Sequence, residues 1–190
     1  MDVREAIHTR RSVGKVKPDP VAPELIEEIL EAAVWAPNHH HTEPWRFFVM
    51  VGEGRRVLGR AYAEIASEGN HSLTAEEFAK IQSDQEKKAF RAPVIIAVAM
   101  SPSSDSKATL IEELAAVHAA VQNMLLMAHA FGLGAVWRTG APTYHPRMQA
   151  AFGLTEKEQL TGFIYLGYPD MDIPKSQRIP FRQKTTWLDK

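Results

Sequence analysis

The stretch from Ile111 to Phe131, IEELAAVHAAVQNMLLMAHAF, constrains this chain more than any other. Read as a helix it is apolar on nearly every side, and its longest apolar run, Leu114 to Phe131, is interrupted by His118, Gln122, Asn123 and His129. A helix with one apolar stripe lies on a core, whereas one that is apolar all round has to be covered on most sides. The four polar residues leave it too polar for a bilayer span, which takes about 20 mostly apolar residues. A domain of 190 residues seldom encloses such a helix by itself. The economical expectation is that a second subunit covers part of it, with Val121 and Leu125 in the contact.

Shorter patterns surround this helix. Asp2 to His8 reads as a helix ending near TRRS, and VKPDPVAP as a proline-rich connector. Pro23 can open a helix whose Leu25, Ile26, Ile29, Leu30 and Ala33 share one face. Arg46–Val51, Ala92–Met100, GLGAVWRTG and LTGFIYLGYP have the length and composition of strands, the second apolar at almost every position. Arg55–Ser67 and Thr74–Phe90 read as two mostly polar helices, the expected mobile or lid-forming part, and HPRMQAAFG as a short helix. Residues 171–190 form a tail with little periodicity. Helices first, then strands alternating with helices, predict one domain over 1–190 with a central sheet, α/β or α+β.

Several function classes fall away on composition. The 22 Lys and Arg against 23 Asp and Glu leave no basic excess for a general grip on nucleic acid. The absence of Cys removes thiolate metal sites and Cys nucleophiles. The start, MDVREAIHTRRS, carries no apolar signal-peptide core, so a soluble cytoplasmic protein without a membrane partner is expected.

Four stretches could carry chemistry. TRRS puts Arg10, Arg11 and Ser12 together, where guanidinium forks and a hydroxyl suit phosphate oxygens. Two arginines ending a helix also simply complement its dipole. NHHHTEPW, if extended, sets His39, His41 and Glu43 on one side, a ligand set for iron or zinc; otherwise it is a polar surface loop. GAVWRTGAP ends a strand with Trp137, Arg138 and Thr139, where an α/β sheet seats its ligands, or else with a core Trp and a solvated Arg. SQRIPFR offers Arg178 and Arg182, or a solvated basic tail. The full G-x-G-x-x-G after a strand, G-x-S-x-G and the G-K-[ST] phosphate loop are all missing.

In their order these motifs resemble the nitroreductase family of flavin-dependent oxidoreductases. RRSV near the start, EPWRF closing the first long connector, AAVQNMLLMAHAFGLGAVW and the late YLGYP carry the resemblance, which runs from Met1 to about Pro169. WR followed by a small residue and Gly, at 137–140, is similar to the short bacterial branch. The resemblance implies an α+β fold with a central mixed sheet flanked by helices, in an intertwined homodimer with FMN at the subunit interface. It implies NADH or NADPH as hydride donor and ping-pong reduction of a small-molecule electron acceptor such as a nitroaromatic or quinone. Carried over by position, Arg10, Arg11 and Ser12 hold the FMN phosphate and ribityl end, joined by Arg178. Trp137, Arg138 and Thr139 lie along the flavin, Trp35 and His39 contact it, the latter from the partner subunit, and no metal is required. The family pattern often has a neutral amide where Glu43 stands and a Lys where Gly14 stands. Arg138 is the first candidate, and Arg11 the second, for a cation beside N1 and O2 of the ring. Reductive dehalogenation or flavin fragmentation on the same fold, a flavin-binding module without turnover, and the metalloenzyme on His39, His41 and Glu43 are the alternatives.

Overall fold

The computed structural model describes residues 1–70, 72–104 and 107–188. Its frame is a four-stranded sheet in the order β1 (Trp45–Val51), β2 (Val94–Met100), β4 (Gln159–Gly167), β3 (Gly134–Arg138). All three pairings are antiparallel. Of the mixed sheet expected, the parallel part among the described residues is a single bridge from Ser12 to Ala135, alongside β3.

The continuous apolar run of β2 follows from its central place. Val94, Ile96, Val98 and Met100 face one side of the sheet and Ile95, Ala97 and Ala99 the other, and all are buried. On the first side lie α2 (Pro23–Val34) and α5 (Leu110–Ala130). Pro23 stands in the first turn of α2, where its missing N–H costs nothing, and Ile26, Ile29 and Ala33 point inward. On the second side lie α3 (Arg56–Ala66), α4 (Ala75–Ala89) and α6 (Pro146–Ala151), over a core of Leu58, Ala61, Ala89, Met148 and Phe163. The architecture is α+β in three layers.

The polar pair α3 and α4 is anchored rather than free-standing. A Cβ on Gly59 would stand 3.0 Å from Glu86 Cγ and 3.1 Å from its Cα, so the two helices approach at a distance only glycine permits. Thr74 and Glu77 close a reciprocal capping box at the start of α4.

Helix α5 has the length and hydropathy to cross a membrane, yet it packs on α2 and the sheet of its own chain. Val121 and Leu125, expected in a subunit contact, are buried in that core instead. The exposed residues of α5 are Leu110, Ile111, Ala115, His118, Gln122 and Ala130, four apolar and two polar. Small residues on the inner face, Ala116, Ala120 and Ala128, let the helix settle close enough for the chain to cover it.

Candidate functional site

Helix α1 (Val3–Thr9) ends at the arginine pair, and the chain leaves it extended. Ser12 bridges Ala135, and the Val13 N–H donates to the Ala135 carbonyl at 3.0 Å. The approach depends on Gly134, where a Cβ would come within 2.7 Å of Val13 Cγ1. The RRSV segment therefore runs along β3, and Gly14 faces Arg138, its Cβ position 4.0 Å from Arg138 Nη2. Two stretches separated by more than a hundred residues meet here.

Arg10, Arg11 and Arg178 form one cationic group. The Arg10 guanidinium is held below its ordinary pKa first by burial, then by the neighbouring charges of Arg11 and Arg178. None of the three has an ion-pair partner among the described residues. Arg11 Nη1 donates to the carbonyls of His8 and Arg10 at 2.8 and 2.7 Å, while its buried Nε has no partner. Arg178 donates to Ser176 and to the Gln177 carbonyl. Three adjacent cations without a counter-charge repel one another unless an anion binds, and the forks suit phosphate.

Trp137 and Arg138 fall on opposite faces of the sheet. A bulge in β4 leaves Thr161 without a partner in the β2 register, between Gly162 opposite Val98 and Leu160 opposite Ala99. Thr161 Oγ1 donates to the Val98 carbonyl at 3.0 Å, and its own carbonyl accepts from Trp137 Nε1 at 3.2 Å. The indole lies over Gly162 and 5.3 Å from the His118 ring, so it is tied into the α5 layer. Arg138 turns to the other layer, with its guanidinium 5.2 Å from the Tyr165 ring and its buried Nε unpartnered.

There Arg138 and Thr139 border a cleft of about 390 Å³ walled by Tyr62, Gln85, Lys88, Arg91 and Tyr165. Burial raises the pKa of both phenols, which hydrogen-bond to each other, while Arg138 and Arg91 oppose the rise. The α4 residues were unassigned by sequence reasoning, though a signal existed. Gln85, Lys88 and Arg91 recur every third position, which sets them on one side of the helix and its exit.

Trp35 and His39 lie elsewhere in the chain. Trp35 is 79% exposed, donates to Glu31 at 3.0 Å and sits by Met1, Val3 and Ala6. His39 stacks on His40 and pairs with Glu112 in the first turn of α5 at 3.1 Å. The loop is not extended: it curls through a 3-10 turn with positive φ at His40, His41 and Glu43. That curl removes the alternation which would have aligned His39, His41 and Glu43. Among the described residues no three His, Cys, Asp or Glu are grouped to hold an ion.

The family model for the Nitroreductase family matches residues 7–168, which contain Arg10 to Gly14, Trp35, His39, the cleft residues and Trp137 to Thr139, but not Arg178. The chain belongs to this family. YfhC of Bacillus subtilis, provisionally named an NAD(P)H nitroreductase, is 33% identical over 185 residues, covering 97% of this chain and 93% of its own. A nitroreductase-like family protein of Bacillus cereus superposes with a TM-score of 0.83 at 32% identity, over 100% of this chain and 97% of that one. A nitroreductase-class protein of Desulfovibrio desulfuricans, solved in complex with FMN, superposes at 0.72 with 29% identity, over 96% and 95%. Mouse iodotyrosine deiodinase 1 is a more distant relative, 27% identical over 92% of this chain and 65% of its own. Family membership fits the cation group and the cleft, which lie on the α+β frame those relatives share.

Proposed function

We propose that the chain is an FMN-dependent oxidoreductase that takes hydride from NADH or NADPH and reduces nitroaromatics, quinones or similar electron-poor molecules by a ping-pong sequence. One observation carries this reading: the uncompensated cations at 10, 11 and 178 run by way of Gly14 to Arg138, at the head of a ring-sized cleft. The orphaned Arg138 Nε and the lone cations fit the oxygens of a flavin and its phosphate.

In this reading Arg10, Arg11, Ser12 and Arg178 hold the phosphate. FMN, when bound, supplies the two-electron chemistry, and the protein supplies position and field. Arg138 holds a fixed positive charge beside the pyrimidine edge, where negative charge gathers on reduction, and Tyr165 supports its guanidinium from behind. No side chain has to act as a strong acid or base. Both substrates use one open face in turn, so a shallow cleft suffices. Purified protein is expected to be yellow, to release one FMN per chain on denaturation and to keep its activity after dialysis against a chelator. Colourless protein, or activity restored only by iron or zinc, would contradict the reading. The deiodinase likeness supports reductive dehalogenation as the second reading, and turnover of a halogenated phenol in preference to nitro compounds would select it.

The site also calls for a second copy. His39 lies at the first turn of α5 and Arg10 beside His129 in its last, about 25 Å apart along the helix at 1.5 Å per residue. One chain cannot bring both to one ligand. Two chains with their α5 helices antiparallel can, with His39 of the partner subunit reaching the flavin and the same surface used twice. The tail supplies further contact, since Ile179, Phe181, Trp187 and Leu188 are all exposed. Val49 and Val51 of the edge strand β1 help line an apolar groove of about 670 Å³ with Val21, Ile26, Leu30 and Pro93. Replacing Trp187 and Leu188 together by Ala is expected to weaken dimerisation by about a hundredfold, as loss of two large anchors does. Light scattering across a dilution series checks this, and an unchanged dissociation midpoint would free the tail from the interface.

A further inference from the structure

The cleft is charged beyond what the cofactor needs. Three cations border it, Lys88, Arg91 and Arg138, and its lining contains no carboxylate. Some cations on the same layer have an acid, Arg56 with Glu53 and Glu86, Lys87 with Asp84, Arg147 with Glu68, and others, Arg60 and Lys80, have no ion pair among the described residues; what sets the cleft apart is that three cations converge on one concave wall. Lys87 and Lys88 are neighbours, yet only the one turned away from the cleft has an acid. Lys88 rests against the Tyr62 ring at 5.9 Å and Arg138 against Tyr165. Arg91 has no ion-pair partner among the described residues and stands exposed where α4 gives way to β2. A concave wall with charges of one sign focuses the field and concentrates the opposite sign within it.

Arg138 is spent on the bound ring in the reading above, and the phosphate has its own cations at 10, 11 and 178. Arg91, at the open rim, is left for the ligand that comes and goes. Tyr62 beside it offers an aromatic face to a flat partner. We propose that the electron acceptor carries an anionic oxygen group, a carboxylate or sulfonate on an electron-poor ring, and that Arg91 receives it at the rim of the cleft. This rests on the flavin reading of the cleft.

The test uses FMN-loaded protein and two acceptors of the same shape, 4-nitrobenzoate and its neutral methyl ester. Wild type is expected to favour the carboxylate in kcat/KM by about tenfold, the lower end for a charge-assisted contact facing solvent. That preference should shrink as salt rises. Arg91→Gln should bring the ratio to near one, and Arg91→Lys should restore part of it, while FMN affinity and the rate of bleaching by NADH or NADPH stay at wild-type values. Equal loss with both acceptors would overturn the assignment. So would slower bleaching by the nicotinamides, which would give Arg91 to the donor's phosphates. Wild-type protein that binds no FMN fails at an earlier step and removes the flavin reading itself.

Discussion

Gly162→Ala is expected to lower stability by about 3 kcal/mol, the sum of backbone strain and overpacking at one site. For a domain of this size that is a fall in Tm of roughly 10 °C. The backbone there has φ +148°, which a side chain disfavours. A Cβ would overlap the Trp137 indole nitrogen, and would stand 2.7 Å from Trp137 Cδ1 and 2.8 Å from the Arg138 carbonyl. Neither obstacle can give without moving β3, because Trp137 Nε1 is held by Thr161 at the bulge. Arg138 is the next residue, so weaker FMN binding should accompany the loss of stability. Thermal melts with and without FMN measure both. A variant with wild-type Tm would show that the bulge does not seat Trp137.

Arg10→Ala is expected to weaken FMN binding by roughly ten- to a hundredfold or more, the equivalent of about 1.5–3 kcal/mol for a charge-assisted contact to phosphate. Arg10 is partly buried against two like charges, which is unfavourable without an anion. Removing it should therefore leave the apo-protein's Tm unchanged or slightly raised while FMN affinity falls. A residue serving only the end of α1 would behave in the opposite way. Titration of apo-protein with FMN, beside a melt of the same sample, separates the two. Riboflavin, which lacks the phosphate, should bind wild type and variant alike.

The strands and helices were legible because period and length agree in them. β2 is apolar at consecutive positions since both its faces are covered, and Pro23 marks the start of α2. The cation pair at Arg10 and Arg11 and the strand end at Arg138 could each be picked out, but their meeting could not. It depends on Gly134 admitting Val13, a long-range contact without a local signature. For α5 the sequence could not say which residues the chain covers itself and which are left to a partner, because apolar residues on every side look alike in either case. Here the chain covers Val121 and Leu125, and the small alanines of the inner face are what make that possible. The cleft residues on α4 could not be assigned because the spacing that groups Gln85 and Lys88 does not by itself tell a cleft wall from a solvated face, and Lys88, facing the cleft, stands next to Lys87, paired in solvent. The histidine loop could align His39, His41 and Glu43 only if it ran straight, and its left-handed residues break that condition.

Anaerobic titration of the purified yellow protein with NADH and with NADPH tests the central claim most directly. One equivalent of nicotinamide per flavin should bleach the yellow absorbance, since hydride transfer is the flavin's chemistry, and adding a nitroaromatic or quinone without oxygen should restore it. A bound flavin that neither nicotinamide bleaches would contradict the account.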